Sequence, residues 1–316
     1  MNIGLHHGAG GKEMHELVAR IRKVLGSTGK WFNSDGDSAF FGDIAFTTDS
    51  YTISPLFFPG GDIGKLAVCG TINDLVVSGA EPVGISLGLV IEEGFSEERL
   101  MFIIGSIHKE AEKANVPVVT GDTKVMPKKT LDGLIINTSG IGRIKRQLTK
   151  KLEIGDQIIV TGNIAEHGAA LLAERFKFES KIKSDCKNIM PELMSVIHLI
   201  KQAKDPTRGG ISACIAELAT KNKVGVLINE KAVPISKPVS AICKLLGVDP
   251  FSLACEGRAI LVCKKNNARL VLKKLKQFNK TAAVIGEITK NDLIINTPVG
   301  QRFLEMPTGE VVPRIC

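Results

Sequence analysis

The sequence predicts an α+β fold in two domains, followed by a mobile tail, and three observations predict it. At 316 residues the chain exceeds what one ordinary hydrophobic core supports. Stretches with apolar residues at helical spacing alternate with short apolar runs, and some of those runs follow one another directly. A polar bridge, Lys150-Lys151-Leu152-Glu153-Ile154-Gly155-Asp156, then restarts a series of the same kind without repeating its sequence.

The elements follow in order. Met14, Leu17, Val18, Ile21, Val24 and Leu25 give helical spacing over 12–25, and Gly26 stops it. Ile44–Asp49 is a predicted strand and 62–78 a helix ended by Gly79. Val83–Ile91 is predicted as a buried strand. Ser96 caps a helix running to Ala114, and Val116–Thr120 and Leu134–Ile141 are further strands. After the bridge come a strand at Gln157–Thr161 and helices near 166–176, 189–202 and 211–221. Strands at 224–228 and 258–263, a helix at 266–277 and a strand at 282–286 complete the second domain. Pro298, Gly300, Pro307, Gly309 and Pro313 make 298–316 unsuited to a regular element. Those roughly 19 residues span about 60 Å if extended, so the last residue can travel.

Composition narrows the function. Hydrophobic content of 44% and charged content of 23% are globular values. The net charge of +8 comes from scattered pairs such as Lys128-Lys129 and Lys273-Lys274, a solvated face that does not track nucleic-acid phosphates. One Trp and one Tyr leave little surface for stacking bases. No apolar run reaches membrane-spanning length, and Met1 to His7 lack the ordered regions of a signal peptide. Seven widely spaced cysteines without a Cys-x-x-Cys pair argue against a structural zinc or a disulfide framework and point to the cytoplasm.

Four features carry chemistry. His7-Gly8-Ala9-Gly10-Gly11-Lys12 opens directly onto a helix, where bare backbone N–H groups suit an anion, although it completes no P-loop. Asp37, Asp49, Asp74 and Asp122 stand at strand or turn boundaries, as magnesium–phosphate binding requires; each taken singly also reads as a cap or turn residue. Asp205-Pro206-Thr207-Arg208-Gly209-Gly210 places a hydroxyl, a guanidinium and two glycines before a helix, which suits a phosphate group or a plain N-terminal cap. Cys316 ends the tail, a thiol on an arm that behaves as a carrier. By contrast Gly84-Ile85-Ser86-Leu87-Gly88 has the hydrolase-elbow spacing but lies inside an apolar strand with no helix after it.

The segments Phe46-Thr47-Thr48-Asp49-Ser50-Tyr51, Phe57-Phe58-Pro59-Gly60-Gly61-Asp62-Ile63-Gly64-Lys65 and Thr120-Gly121-Asp122-Thr123-Lys124 resemble the HypE family of hydrogenase maturation factors. So do Asp205 to Gly210, Cys255-Glu256-Gly257 and the terminal Pro313-Arg314-Ile315-Cys316, and the likeness spans the chain. It implies the two-domain fold of aminoimidazole ribonucleotide synthetase, with an N-terminal ATP-binding and dimerisation domain over 1–149, an α/β domain over 150–297, and the tail over 298–316. In that family the N-terminal domains of a homodimer share a barrel.

The implied reaction is the ATP-dependent dehydration of an S-carboxamide on Cys316 to a thiocyanate, the source of the cyanide ligand of [NiFe] hydrogenase. The carbamoyltransferase HypF loads the cysteine, and a HypC–HypD complex receives the cyano group. The resemblance makes Cys316, Lys124 and Glu256 catalytic and assigns Mg2+ to Asp37, Asp49, Asp74 and Asp122. Gly10, Gly11, Lys65, Asn73, Thr123, Asp205, Thr207 and Arg208 fall to ATP. Cys255 and Lys204 depart from the family's more usual Asn and Arg. A different ATP-dependent reaction of the same superfamily and a non-enzymatic thiol carrier are the competing readings.

Overall fold

A computed structural model describes residues 2–309, 312 and 314–316; Met1 of the N-terminal stretch and Pro313 of the terminal tetrapeptide lie outside them. The N-terminal half forms a five-stranded sheet in the order Ala39–Phe41, Ile44–Tyr51, Leu134–Ile144, Ala80–Glu92, Val118–Met126. Only the last two neighbours pair in parallel, and the Glu97–Ala114 helix between them supplies the crossover that a parallel pair needs. One face is covered by the Ile63–Val77 helix, in which 13 of 15 residues are buried. Such a helix is apolar all round because it has neighbours all round, with the sheet on one side and the second domain on the other. Gly64 allows the contact with the 97–114 helix, since a Cβ there would lie 2.6 Å from the Ile103 carbonyl oxygen.

The second domain is a seven-stranded sheet in the order Gly300–Phe303, Leu293–Thr297, Gly225–Asn229, Ala283–Thr289, Gln157–Val160, Ile260–Cys263, Ile200–Lys204. Two expectations are corrected here. The apolar run over 189–202 is a short helix, Met190–Val196, followed by the edge strand Ile200–Lys204, because that segment pairs antiparallel with Ile260–Cys263. The first residues of the tail are regular: Gly300–Phe303 pairs antiparallel with Leu293–Thr297, turning through Gly300. The Lys237–Leu246 helix and the Ala39–Phe41 and Leu293–Thr297 strands are further elements that the periodicity does not predict. Ser86 lies within the Ala80–Glu92 strand, its Oγ accepting from the Ser139 amide at 2.9 Å, as a strand residue and not an elbow.

Candidate active site

The cleft between the two sheets is built from four segments. The Ile44–Tyr51 strand turns Ala45, Thr47, Asp49 and Tyr51 toward the helix side by its two-residue period, leaving Phe46, Thr48 and Ser50 on the uncovered face. Asp74 projects from the last turn of the Ile63–Val77 helix. Thr47 Oγ1 lies 2.9 Å from Asp74 Oδ2 and 2.8 Å from the Asp37 carbonyl, which ties the helix to the loop before the sheet. Asp205 follows the edge strand Ile200–Lys204 of the other domain. Asp37, Asp74 and Asp205 thereby bring one carboxylate oxygen each within 4.8 Å of one another.

Crowding and burial act on these groups together. Burial, reinforced by Asp205, Asp49 and Asp37, pushes the Asp74 carboxyl well above the usual carboxylate range. Burial and Asp37 push Asp205 up to about 7, and burial raises Asp49 against the pull of Arg208. Lys204 is the counter-charge, pairing with Asp37 and reaching Glu217 at 3.1 Å. Lys204 therefore sits directly on the aspartate cluster.

The loop Asp205 to Gly210 closes one side. Gly209 and Gly210 have φ of +77° and +59°, and a Cβ on Gly210 would meet the carbonyl oxygens of Phe251 and Leu253 at about 2.5 Å, so two glycines are required before the Gly210–Asn222 helix. Gly10 packs on this loop so closely that a Cβ would stand 2.5 Å from that of Arg208. Gly11 faces the tail, with the Lys12 amide donating to the Pro307 carbonyl at 3.2 Å.

The last residues are seated in the cleft. The Thr52 amide donates to the main-chain oxygen of Cys316 at 3.1 Å and the Ser54 amide to that of Arg314 at 3.2 Å, while Arg314 Nε returns a bond to Thr52 at 2.8 Å. Val312 and Ile315 are buried. Six of the seven cysteines are buried, and Cys316 is the half-buried one. Burial pushes its thiol up to about 12, with Arg208 opposing and Glu256, Asp49 and Asp205 reinforcing. Glu256 is 3% exposed and its Oε1 has no hydrogen-bond partner. Burial, then Asp205, Asp185 and Asp49, raise its carboxyl well above the usual range. An orphaned buried acceptor costs stability unless a ligand donates to it.

The other expected site residues are held by contacts of their own. Asn73 lies between the domains: its Nδ2 donates to the carbonyls of Lys187 and Glu256 at 3.1 and 3.3 Å, and its Oδ1 accepts from the Ile189 amide at 3.0 Å. The amide joins the two domains through both its nitrogen and its oxygen. Lys65 donates to the Gly60 carbonyl at 2.8 Å, and Thr207 accepts from the Gly210 amide at 2.9 Å. Asp122, Thr123 and Lys124 are on the Val118–Met126 strand, exposed throughout, where Lys124 pairs with Asp122 at 3.1 Å and holds its carboxyl below the usual range. Within one chain they do not reach the aspartate cluster. Two residues that hold the arm, His167 and Arg175, carry no sequence signal beyond one histidine and one arginine on a helix.

Two such sheets facing one cleft, with nucleotide-type loops at strand ends, define an AIR synthase-related protein. The N-terminal domain model of that family matches residues 36–144 and the C-terminal domain model residues 153–296. The chain is 37% identical over 335 residues to the carbamoyl dehydratase HypE of Escherichia coli, covering 100% of this chain and 99% of that protein. It superposes on HypE in a HypE–HypF complex with a TM-score of 0.87 at 36% identity, covering 94% of this chain and 100% of the other. On HypE in complex with ATP the TM-score is 0.84 at 33% identity, with both chains covered in full. The chain belongs to the HypE carbamoyl dehydratase family.

Proposed function

We propose that this chain is an ATP-dependent carbamoyl dehydratase of hydrogenase maturation, acting on a carboxamide carried by its own Cys316. The observation that carries the reading is the seating of the Cys316 main chain on the Thr52 amide, where Arg208 and the buried Glu256, whose Oε1 has no hydrogen-bond partner, act on its thiol. In this reading ATP enters the cleft lined by Gly10, Gly11, Thr207 and Arg208. The carboxamide oxygen attacks the γ-phosphorus, ADP leaves, and the oxygen becomes part of a phosphate leaving group. Two protons then leave the nitrogen, the C–O bond breaks, and phosphate departs from a thiocyanate. Glu256, once ionised, is a stronger base than an exposed carboxylate and takes a nitrogen proton. Arg208 steadies the charge of the transferring phosphoryl group.

Three crowded carboxyl groups, with Asp74 and Asp205 raised by burial and by their neighbours, are a donor set that fits a hard cation. Asp37, Asp74 and Asp205 would hold Mg2+, with Asp49 beside them. When bound, the ion neutralises phosphate charge and aligns the nucleotide.

The Val118–Met126 strand is a long sheet edge with exposed Val118, Val119, Val125 and Met126, and an edge of that kind is normally covered. The uncovered face beside it also shows Phe46, Val83 and Ile141. A homodimer sharing an N-terminal barrel covers both and brings Asp122, Thr123 and Lys124 of a second copy to the cleft. HypF loads the thiol and a HypC–HypD complex accepts the cyano group, in the cytoplasm. Among the described residues no helix is long and apolar enough to cross a membrane.

The test is intact-protein mass spectrometry after incubation with HypF, carbamoyl phosphate and ATP–Mg, followed by further ATP. Gain of one carboxamide and then loss of one water, neither seen in Cys316→Ala, is expected. Loading without water loss would leave a thiol carrier whose cleft serves another reaction.

A further inference from the structure

The arm is held from the second domain by a buried histidine. His167, in the Glu166–Arg175 helix, is fully buried, with its Nε2 2.8 Å from the Ile315 carbonyl oxygen and its Nδ1 2.7 Å from Ser184 Oγ. A carbonyl only accepts, so Nε2 carries the proton and Nδ1 accepts from the serine hydroxyl. Burial lowers the His167 pKa and keeps the ring neutral, which preserves that tautomer. Ser184 Oγ in turn accepts from the Cys186 amide at 3.0 Å, and the Ser184 amide donates to the Pro59 carbonyl at 2.7 Å. Phe58 stands edge-on to the imidazole at 5.3 Å. Every polar atom of the ring is used, and one of the two uses is the residue adjacent to Cys316.

The same loop reaches the proposed base. Asp185, next to Ser184, accepts from the Glu256 and Gly257 amides at 3.2 and 3.3 Å. Arg175, two turns along the helix from His167, donates through Nη2 to the Arg314 carbonyl at 2.7 Å and through Nε to the Ser54 carbonyl at 2.8 Å. The clamp on the arm and the support under Glu256 are thus neighbouring parts of one hydrogen-bonded segment.

We infer that His167 is a positioning residue: its Nε2–H bond to the Ile315 carbonyl, braced by Ser184, sets how deeply Cys316 seats beside Glu256 and Arg208. The catalytic consequence rests on the dehydratase reading above; the seating itself does not. A histidine that merely fills the core would affect stability without acting selectively on Cys316.

The test uses the full-length chain and its Cys316 as reporter, since the other six cysteines are buried. Iodoacetamide labelling is followed by mass spectrometry for wild type, His167→Ala, His167→Gln and Ser184→Ala, with thermal unfolding run in parallel. Gln places an amide N–H where Nε2–H lies. Loss of one buried hydrogen bond should speed Cys316 labelling about tenfold in His167→Ala, with Gln close to wild type. Ser184→Ala, which keeps the ring but frees its tautomer, should fall between. In arms already loaded with carboxamide, dehydration should slow in the Ala variant while loading by HypF does not. Labelling equal to wild type in both His167→Ala and Ser184→Ala would overturn the inference. So would a Gln variant as exposed as the Ala variant, because the role would then be packing alone. A wild-type loaded arm that never loses water would sink the dehydratase reading and leave the labelling contrast intact.

Discussion

Two regions of this molecule hold acidic and basic side chains of the kind ATP chemistry needs, and they are built oppositely. The cleft around Asp37, Asp74, Asp205, Glu256 and Cys316 is assembled from both domains of one chain, and burial and neighbouring carboxylates push Asp74, Asp205 and Glu256 upward. The Val118–Met126 strand carries Asp122 and Lys124 in full exposure, paired only with each other, among apolar residues that water touches. Folding of one chain brings the first region together; in the proposed dimer the second would gain its neighbours from another copy. Substitutions in the cleft should therefore change chemistry or stability in the single chain, and substitutions on the strand should act through a second copy.

The largest expected effect is on Glu256. Glu256→Gln keeps the side chain's size and removes the base, so single-turnover dehydration of loaded Cys316 should fall roughly 100-fold or more, with HypF-dependent loading unchanged. An unaltered rate would move the base elsewhere. Next comes the strand. Lys124→Ala should slow dehydration about 100-fold, if its ammonium steadies phosphate charge. Mixed with Cys316→Ala, which is inactive alone, the Lys124→Ala chain should regain activity, because one site of the mixed dimer then has both residues. Failure to regain it would place Lys124 in its own chain's chemistry and erase the contrast between the regions.

A smaller effect concerns the thiol. Burial raises the Cys316 thiol, so the thiolate is disfavoured and alkylation of the seated arm should keep climbing, about tenfold per pH unit, through pH 9 and 10. A plateau at the ordinary thiol value would mean that the arm is unseated in solution. The mildest effect on chemistry, and a clear one on folding, belongs to Asn73. Asn73→Ala removes three cross-domain hydrogen bonds and should cost about 1–3 kcal/mol in denaturant unfolding, leaving the buried Ile189 amide unpaired. Val125→Asp on the exposed strand should leave that stability unchanged and reduce only the dimer population, read by light scattering.

What the sequence reveals follows from how local each cause is. The Ile44–Tyr51 strand alternates Ala45, Thr47, Asp49 and Tyr51 against Phe46, Thr48 and Ser50, so Asp49 announces its inward face from period alone. Gly209 and Gly210 announce a backbone that no other residue adopts easily. Asp205 was equally visible as part of a phosphate-type loop, but its partnership with Asp37 and Asp74 spans both domains and has no local signature. Asn73 shows the reverse: it adjoins Asp74 of the acidic cluster in sequence, yet one step along a helix turns its side chain toward the second domain. Ile200–Lys204 continues an apolar run, and only pairing with Ile260–Cys263 makes it a strand. His167 is invisible without the arm it holds.

The central claim is that Cys316 carries the group that becomes a nitrile. Infrared spectra of the chain, loaded by HypF with 13C-carbamoyl phosphate and then given ATP–Mg, test it in a window where protein is nearly silent. An isotope-shifted C≡N stretch should appear with ATP, track the loaded fraction and be missing from Cys316→Ala. A loaded arm that keeps only its amide absorption after ATP is consumed would contradict it.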